Sequence, residues 1–294
     1  MSLLGKRIIL TGASGGLGIK AMEYFRAKGA KIIGIDKKAP PSGSDPDILI
    51  ADIRDEAAIT RAMRTAISRL GGLDVLINNA GVLQLQDPEK APGADVQEAI
   101  DVHITGTWRV TSLALPELLK SNGRILNVAS LFAVVNAPFI AAYTSTKRAI
   151  SGYSDILRMH YRGRLQVATL YPGYMDTPIH DAAVEQGLSV AKIVTFYIGK
   201  RKLIGFEEPL SRAVKGLARA CTKRTVRNRG LTAMGTLTLY LAKRVPRFID
   251  WFVNMRINQL VKSGKLAIAL KGAESIPMEE RGHFIEGTPN AAAL

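Results

Sequence analysis

The stretch Lys6-Arg7-Ile8-Ile9-Leu10 runs directly into Thr11-Gly12-Ala13-Ser14-Gly15-Gly16-Leu17-Gly18, and a helical pattern follows to Lys28. This junction limits the folding options of the chain more than any other feature. A strand that ends in glycines turns sharply, and a helix starting there offers the positive end of its dipole to an anion above the turn. A flexible glycine turn is the plainer reading, but its place between a strand and a helix argues against that. The alternation then repeats. Short β-branched runs at 7–10, 31–35, 48–50, 73–77, 123–129 and 165–170 alternate with helical patterns at 16–28, 54–70, 96–119 and 142–161. Several of the strands are almost continuously apolar, as strands covered on both faces are. Strand–helix alternation at this spacing predicts right-handed crossovers and a doubly wound parallel α/β sheet.

Composition removes several alternatives. With 294 residues, 47% of them hydrophobic, the chain can bury a real core. One cysteine, Cys221, excludes a disulfide framework and any multi-cysteine metal site, and leads us to expect a reducing, cytoplasmic compartment. Four histidines (His103, His160, His180, His283) lack paired ligand spacing, so no metal is expected. The first strand begins almost at the N-terminus, which leads us to expect no cleaved signal peptide. The uncharged run 230–242 is too short for a transmembrane helix.

The motifs are ordered. The glycine turn reads T-G-x-x-x-G-x-G; Asn78-Asn79-Ala80-Gly81 follows the fourth strand; Ser130 ends the fifth; Tyr143-Thr-Ser-Thr-Lys147 opens the next helix; and Pro172-Gly173-Tyr174-Met175-Asp176-Thr177 follows the sixth strand. In these five features the chain resembles the short-chain dehydrogenase/reductase family. The resemblance implies a Rossmann-type doubly wound sheet with a nicotinamide dinucleotide on its C-terminal edge. It divides the chain into a core, 1–177, and a substrate-loop and helical extension, 178–294, packed on the same domain. It implies cofactor contacts from Gly12, Ser14, Gly16, Leu17, Gly18, Asn79, Ala80, Gly81, Tyr143, Lys147, Pro172, Gly173, Met175 and Thr177. Asp52 and Ile53 stand where relatives contact the adenine.

The chemistry fits those residue types. Moving a hydride to or from an alcohol carbon requires a proton to leave or join the oxygen. Tyrosine is a poor base at neutral pH, and Lys147, one helical turn on, shares a face with Tyr143. Its charge is expected to lower the tyrosine pKa, while Ser130 holds the substrate oxygen. One position departs from the pattern. Val102-His103-Ile104-Thr105-Gly106 has a histidine where relatives usually carry the asparagine of a water chain to the lysine. His103 is therefore read either as a proton relay, a fourth catalytic residue, or as a packed helix residue. Asp36 ends the second strand, where a carboxylate accepts hydrogen bonds from the adenosine ribose and repels a 2′-phosphate. Gly15 lacks the cation common in NADP-preferring relatives, so NAD is expected over NADP, with Lys37 and Lys38 as an offset.

The end of the chain is different. Residues 178–272 carry 18 Lys+Arg against 5 Asp+Glu, within a net charge of +15. No nucleic-acid motif accompanies them, so no nucleic-acid partner is expected. Helical patterns at 207–222, 232–245 and 248–263 replace the last strand and Val-Asp-Gly-Gly-like ending of many relatives. Their apolar residues are read as a lid and wall for substrate in a soluble homodimer. A peripheral membrane contact through basic and aromatic residues is the alternative. Apolar segments after Ser130 (131–135) and around 193–198 favour a bulky hydrophobic alcohol or ketone, steroid-, lipid- or aryl-like. A sugar-nucleotide epimerase or dehydratase, whose glycine spacing differs, and a non-catalytic dinucleotide-binding protein are the rival readings.

Overall fold

The computed structural model describes residues 2–86, 91–137, 139–181, 195–198, 201–205 and 207–262, with backbone alone for 195–198, 201–205 and Val261. Six parallel strands form as the apolar runs dictate: β1 (Arg7–Thr11), β2 (Lys31–Asp36), β3 (Ile48–Ile50), β4 (Val75–Asn78), β5 (Arg124–Val128) and β6 (Gln166–Tyr171). Their interiors are almost fully buried because helices cover both faces. The order is β3-β2-β1-β4-β5-β6, with a seventh strand beyond β6. The order of winding reverses between the parallel strands β1 and β4, and the cleft above that switch point is where open α/β sheets bind ligands.

Helices α1 (Gly16–Ala27), α2 (Glu56–Leu70), α3 (Ala94–Ile100), α4 (Thr107–Lys120) and α5 (Ala141–His160) follow the sequence patterns closely. The Asp55 side chain caps α2 by accepting from the Ala58 N–H, and Gly71 ends it in the left-handed conformation. The expected helix 96–119 is broken: a π-helical turn, Asp101–Gly106, joins α3 to α4 and carries His103. Such turns are rare, and they concentrate at functional sites.

Beyond β6, the hairpin β7 (Thr195–Ile198) and β8 (Arg201–Gly205) precedes α6 (Leu210–Thr222), the two-residue strand β9 (Arg229–Gly230), α7 (Ala233–Arg244) and α8 (Pro246–Lys262). β9 corrects the expectation that a last strand is missing, since Arg229 and Gly230 pair in parallel with Leu170 and Tyr171. Gly230 fits because a Cβ there would fall 2.3 Å from the carbonyl carbon of Gly235 at the start of α7. α6 packs beside α1 on one face of the sheet, and α2 and α4 cover the other. Ile193 and Val194 lie outside the described residues, as do the side chains of 195–198, so their expected part in a substrate wall is not described.

Candidate active site

The cleft begins at Gly12. Its φ of +68° is a left-handed conformation natural to glycine, and a Cβ there would lie 2.8 Å from the Ala80 Cα. The Thr11 hydroxyl accepts the N–H groups of Asn79 (3.0 Å) and Ala80 (3.1 Å), and the Asn79 amide donates to the Thr11 and Gly12 carbonyls. The ends of β1 and β4 are thus tied together under the turn. Gly18 permits the closest approach: a Cβ would sit 2.1 Å from the Gly12 oxygen. No side chain caps α1 and its first turn holds no acid, which leaves its N-terminal N–H groups to an anion.

This frame bounds a cavity of about 470 Å³. Gly12, Ser14, Gly16, Leu17 and Asp36 line one end, Asn79 and Gly81 the floor, Ser130, Tyr143 and Lys147 the far end, and Pro172, Gly173, Met175 and Thr177 the opposite wall. Gly16 touches that wall, since a Cβ would fall 2.5 Å from the Thr177 Cγ2. Four expected contacts sit elsewhere. Gly18 and Ala80 lie behind the turn. Asp52 is clasped by Arg54, whose Nη2 lies 2.7 Å from its Oδ2, and this holds its carboxyl below the ordinary range. Ile53 turns inward against Gly106. Neither Asp52 nor Ile53 lines this cavity, and their expected contact with the adenine stays an expectation.

Tyr143 is buried at the N-terminal turn of α5, with the Ser130 hydroxyl near enough to favour its ionised form. The Lys147 Nζ donates to the Val128 carbonyl (3.1 Å) and stands 5.6 Å from the Tyr143 ring centre. Burial governs the electrostatics. It pushes the Tyr143 phenol up, against the opposing effect of Ser130, and brings Lys147 down to about 7. In the resting cleft burial, not a neighbouring charge, sets the direction of the Tyr143 shift. A half-charged, desolvated ammonium does less than the loss of water around the phenol.

His103 is fully buried outside the cavity. Its Nε2 accepts the Val82 N–H at 3.0 Å, and its Nδ1 lies 2.8 Å from the Thr146 hydroxyl, which itself donates to the Ala142 carbonyl at 2.7 Å. This assigns the proton to Nδ1. Burial, then the Lys147 charge, holds the imidazole well below its ordinary pKa. Both nitrogens are engaged away from the cavity and the ring packs edge-on against Tyr143 at 5.6 Å, so of its two readings this geometry supports the packed helix residue.

Two further features adjoin the site; the first escaped the sequence reading, and the walls of the second were expected from 131–135 and the tail. Glu208 is buried beside the cleft wall, its Oε1 accepting from the Thr232 hydroxyl at 2.5 Å, and burial raises its pKa. It sits in a Glu-Glu-Pro run that reads as solvated. The second is an apolar cavity of about 250 Å³ opening beside Ser130 and Phe132, with α7 and α8 supplying Leu241, Ile249, Phe252 and Val253.

Comparison with known proteins agrees with this geometry. Residues 6–187 match the family model described as short chain dehydrogenase. The oxidoreductase UcpA of Escherichia coli K12 is 33% identical over 196 residues, covering 63% of this chain and 74% of UcpA. The 2,5-dichloro-2,5-cyclohexadiene-1,4-diol dehydrogenase LinX of Sphingobium indicum is 31% identical over 196 residues, 60% of this chain and 76% of LinX. Among solved structures, the 3-ketoacyl-(acyl-carrier-protein) reductase of Brucella melitensis complexed with NADH superposes with a TM-score of 0.65 at 23% identity, over 78% of this chain and 97% of that one.

Proposed function

Because the chain belongs to the short chain dehydrogenase family and is an oxidoreductase of CH–OH groups, we propose that it interconverts a bulky, apolar secondary alcohol and its ketone with NAD. The observation that carries this reading is the apolar cavity beside Ser130, adjoining the dinucleotide-sized cleft. An epimerase or a non-catalytic binding role is set aside by the family's oxidoreductase relatives.

The residues fit a dinucleotide. The uncapped first turn of α1 would hold the pyrophosphate, Asp36 the adenosine ribose, and Lys147 the nicotinamide ribose. The cofactor, when bound, accepts or donates the hydride. Tyr143 moves the proton at the substrate oxygen, Ser130 donates a hydrogen bond to that oxygen, and Lys147 supplies charge as the tyrosine ionises. His103 positions the start of α5 through Thr146.

The preference for NAD rests on three contacts. Asp36 is fixed in place by the N–H groups of Ser14 (2.9 Å) and Lys38 (3.1 Å), and Lys37 is drawn away to Glu98 at 3.5 Å. A carboxylate held there repels a 2′-phosphate. Trp108, Ile156 and Met159, exposed on α4 and α5, offer a face for the expected homodimer. A panel of hydrophobic and polar secondary alcohols assayed with both cofactors tests the reading. We expect turnover of hydrophobic members with NAD, and an erosion of cofactor preference in Asp36→Ala. Equal kcat/KM for NAD and NADP, or activity confined to polar alcohols, refutes it.

A further inference from the structure

Helices α7 and α8 have two differently used faces. Inward, Leu239, Ala242, Ile257 and Leu260 are buried. Outward, Leu237, Tyr240, Leu241, Val245, Phe248 and Trp251 are between 40% and 58% exposed. A strip of large apolar groups left in water costs solubility unless something covers it. The expectation that the tail buries its apolar residues thus holds for one face only. Leu241 and Phe248 belong to both settings, since they also line the apolar cavity beside Ser130. The rings of Trp251, Phe248 and Phe252 continue from outside to cavity wall, with centroids 5.7 and 6.4 Å apart.

The same strip is cationic. Lys243, Arg244 and Arg247 are exposed and make no ion pair with any described residue. Arg244 instead lies over the Tyr240 ring at 5.0 Å, and Lys243 over Tyr171 at 5.6 Å. The one carboxylate on these helices, Asp250, accepts from Asn136 at 2.8 Å. We propose that this face seats on an anionic lipid surface, from which the apolar cavity takes its substrate. The loading step rests on the apolar-substrate reading above. Rings and aliphatic side chains enter the headgroup boundary while the cations meet lipid phosphates. Charge decides between this partner and a second copy of the chain. A twofold contact across the strip sets the two copies' unpaired cations against one another, whereas anionic headgroups neutralise them. Among the described residues no helix is long and apolar enough to cross a membrane, so the contact is peripheral.

The experiment uses the full chain with phosphatidylcholine vesicles, with and without phosphatidylglycerol. The protein has two tryptophans, so Trp108→Phe leaves Trp251 as the sole indole reporter. Expected are co-sedimentation with the anionic vesicles that weakens with salt, and a blue shift of Trp251 emission on binding. Neutralising Lys243, Arg244 and Arg247 to Gln should weaken binding roughly five-fold per cation, about a hundred-fold in all. Those variants and Trp251→Ala should retain turnover of a short, water-soluble secondary alcohol and lose any advantage on a long-chain alcohol carried in vesicles. Equal binding to neutral and anionic vesicles, or none, overturns the docking surface. So does a blue shift without lipid that accompanies a dimer lost in Trp251→Ala, because a second copy then covers the face. Oxidation of apolar alcohols without vesicle binding leaves the substrate reading standing and removes this one. Tight anionic binding with turnover only of polar alcohols overturns the loading step together with the apolar-substrate reading, and leaves the docking surface standing.

Discussion

Lys147→Met should make the enzyme more stable at pH 7 while removing most of its activity. The ammonium is buried, its single described hydrogen bond goes to the Val128 carbonyl, and its pKa falls from 10.5 to about 7. At neutral pH the unfolded chain carries that proton almost always and the folded chain about half the time. Folding therefore either buries a charge or releases a proton. The gap between the two pKa values, at ~1.36 kcal/mol for each pH unit, sets the penalty at about 4 kcal/mol at pH 7. The sign follows from linkage. Because folding lowers this pKa, the unfolded state binds more protons between 7 and 10.5, and stability climbs with pH across that window. Near pH 10 the penalty falls below ~1 kcal/mol. Methionine fills similar space without charge but leaves the Val128 carbonyl without its donor, a loss of about 1 kcal/mol. The net gain at pH 7 is about 3 kcal/mol, or roughly 5–10 °C in Tm. The assay is denaturant unfolding of apoprotein, wild type and variant, at pH 7 and pH 10. A variant no more stable than wild type at pH 7, or a difference that does not shrink with pH, would refute the argument that burial dominates this cluster.

Other consequences are as direct. His103→Phe keeps the ring volume but leaves the Val82 N–H without its acceptor, a cost of ~1–3 kcal/mol, whereas His103→Asn should be tolerated better. Neither nitrogen being available to move protons, the pH profile of kcat should keep its shape in both; a displaced limb means that His103 does carry protons. Folding keeps His103 neutral, so its share of stability is present above pH 6.5 and lost as pH falls through that value. The acid loss of stability between pH 7 and 5 should therefore be smaller in His103→Phe, as chemical denaturation can show. Gly18→Ala forces a Cβ to within 2.1 Å of the Gly12 oxygen and should displace the first turn of α1. NADH affinity, followed by nicotinamide fluorescence, should drop roughly ten-fold or more; unchanged affinity means that the turn does not hold the pyrophosphate.

The sheet was legible because strands buried on both faces leave nearly unbroken apolar runs, and because glycine turns mark where β1 and β6 end. β9 was not legible. Two residues, one of them a glycine, make no pattern, and they pair only because α7 presses against them. Nothing in Asp101–Gly106 distinguishes a π-turn from an α-turn. The role of His103 depends on Val82 and Thr146, distant in sequence and brought near only by the fold. The partner of the Asp52 carboxylate was not read either, although the arginine that clasps it stands only two residues later. In the tail the apolar residues were visible but not which face they occupy. Buried Gly235, Leu239 and Ala242 share one face of α7 and exposed Met234, Leu237 and Leu241 another, and both faces are apolar. A helix so nearly apolar all round gives no one-sided stripe to read.

The central claim is that Tyr143, neighboured by Ser130 and Lys147, moves the substrate proton. The direct test is Tyr143→Phe, measured twice: turnover of the best alcohol found in the panel, and NADH binding by fluorescence titration. The phenylalanine keeps the ring against His103 and removes only the hydroxyl. We predict a loss of kcat of roughly a thousand-fold or more with a dissociation constant for NADH close to that of wild type. Near-normal turnover in the variant would contradict the account.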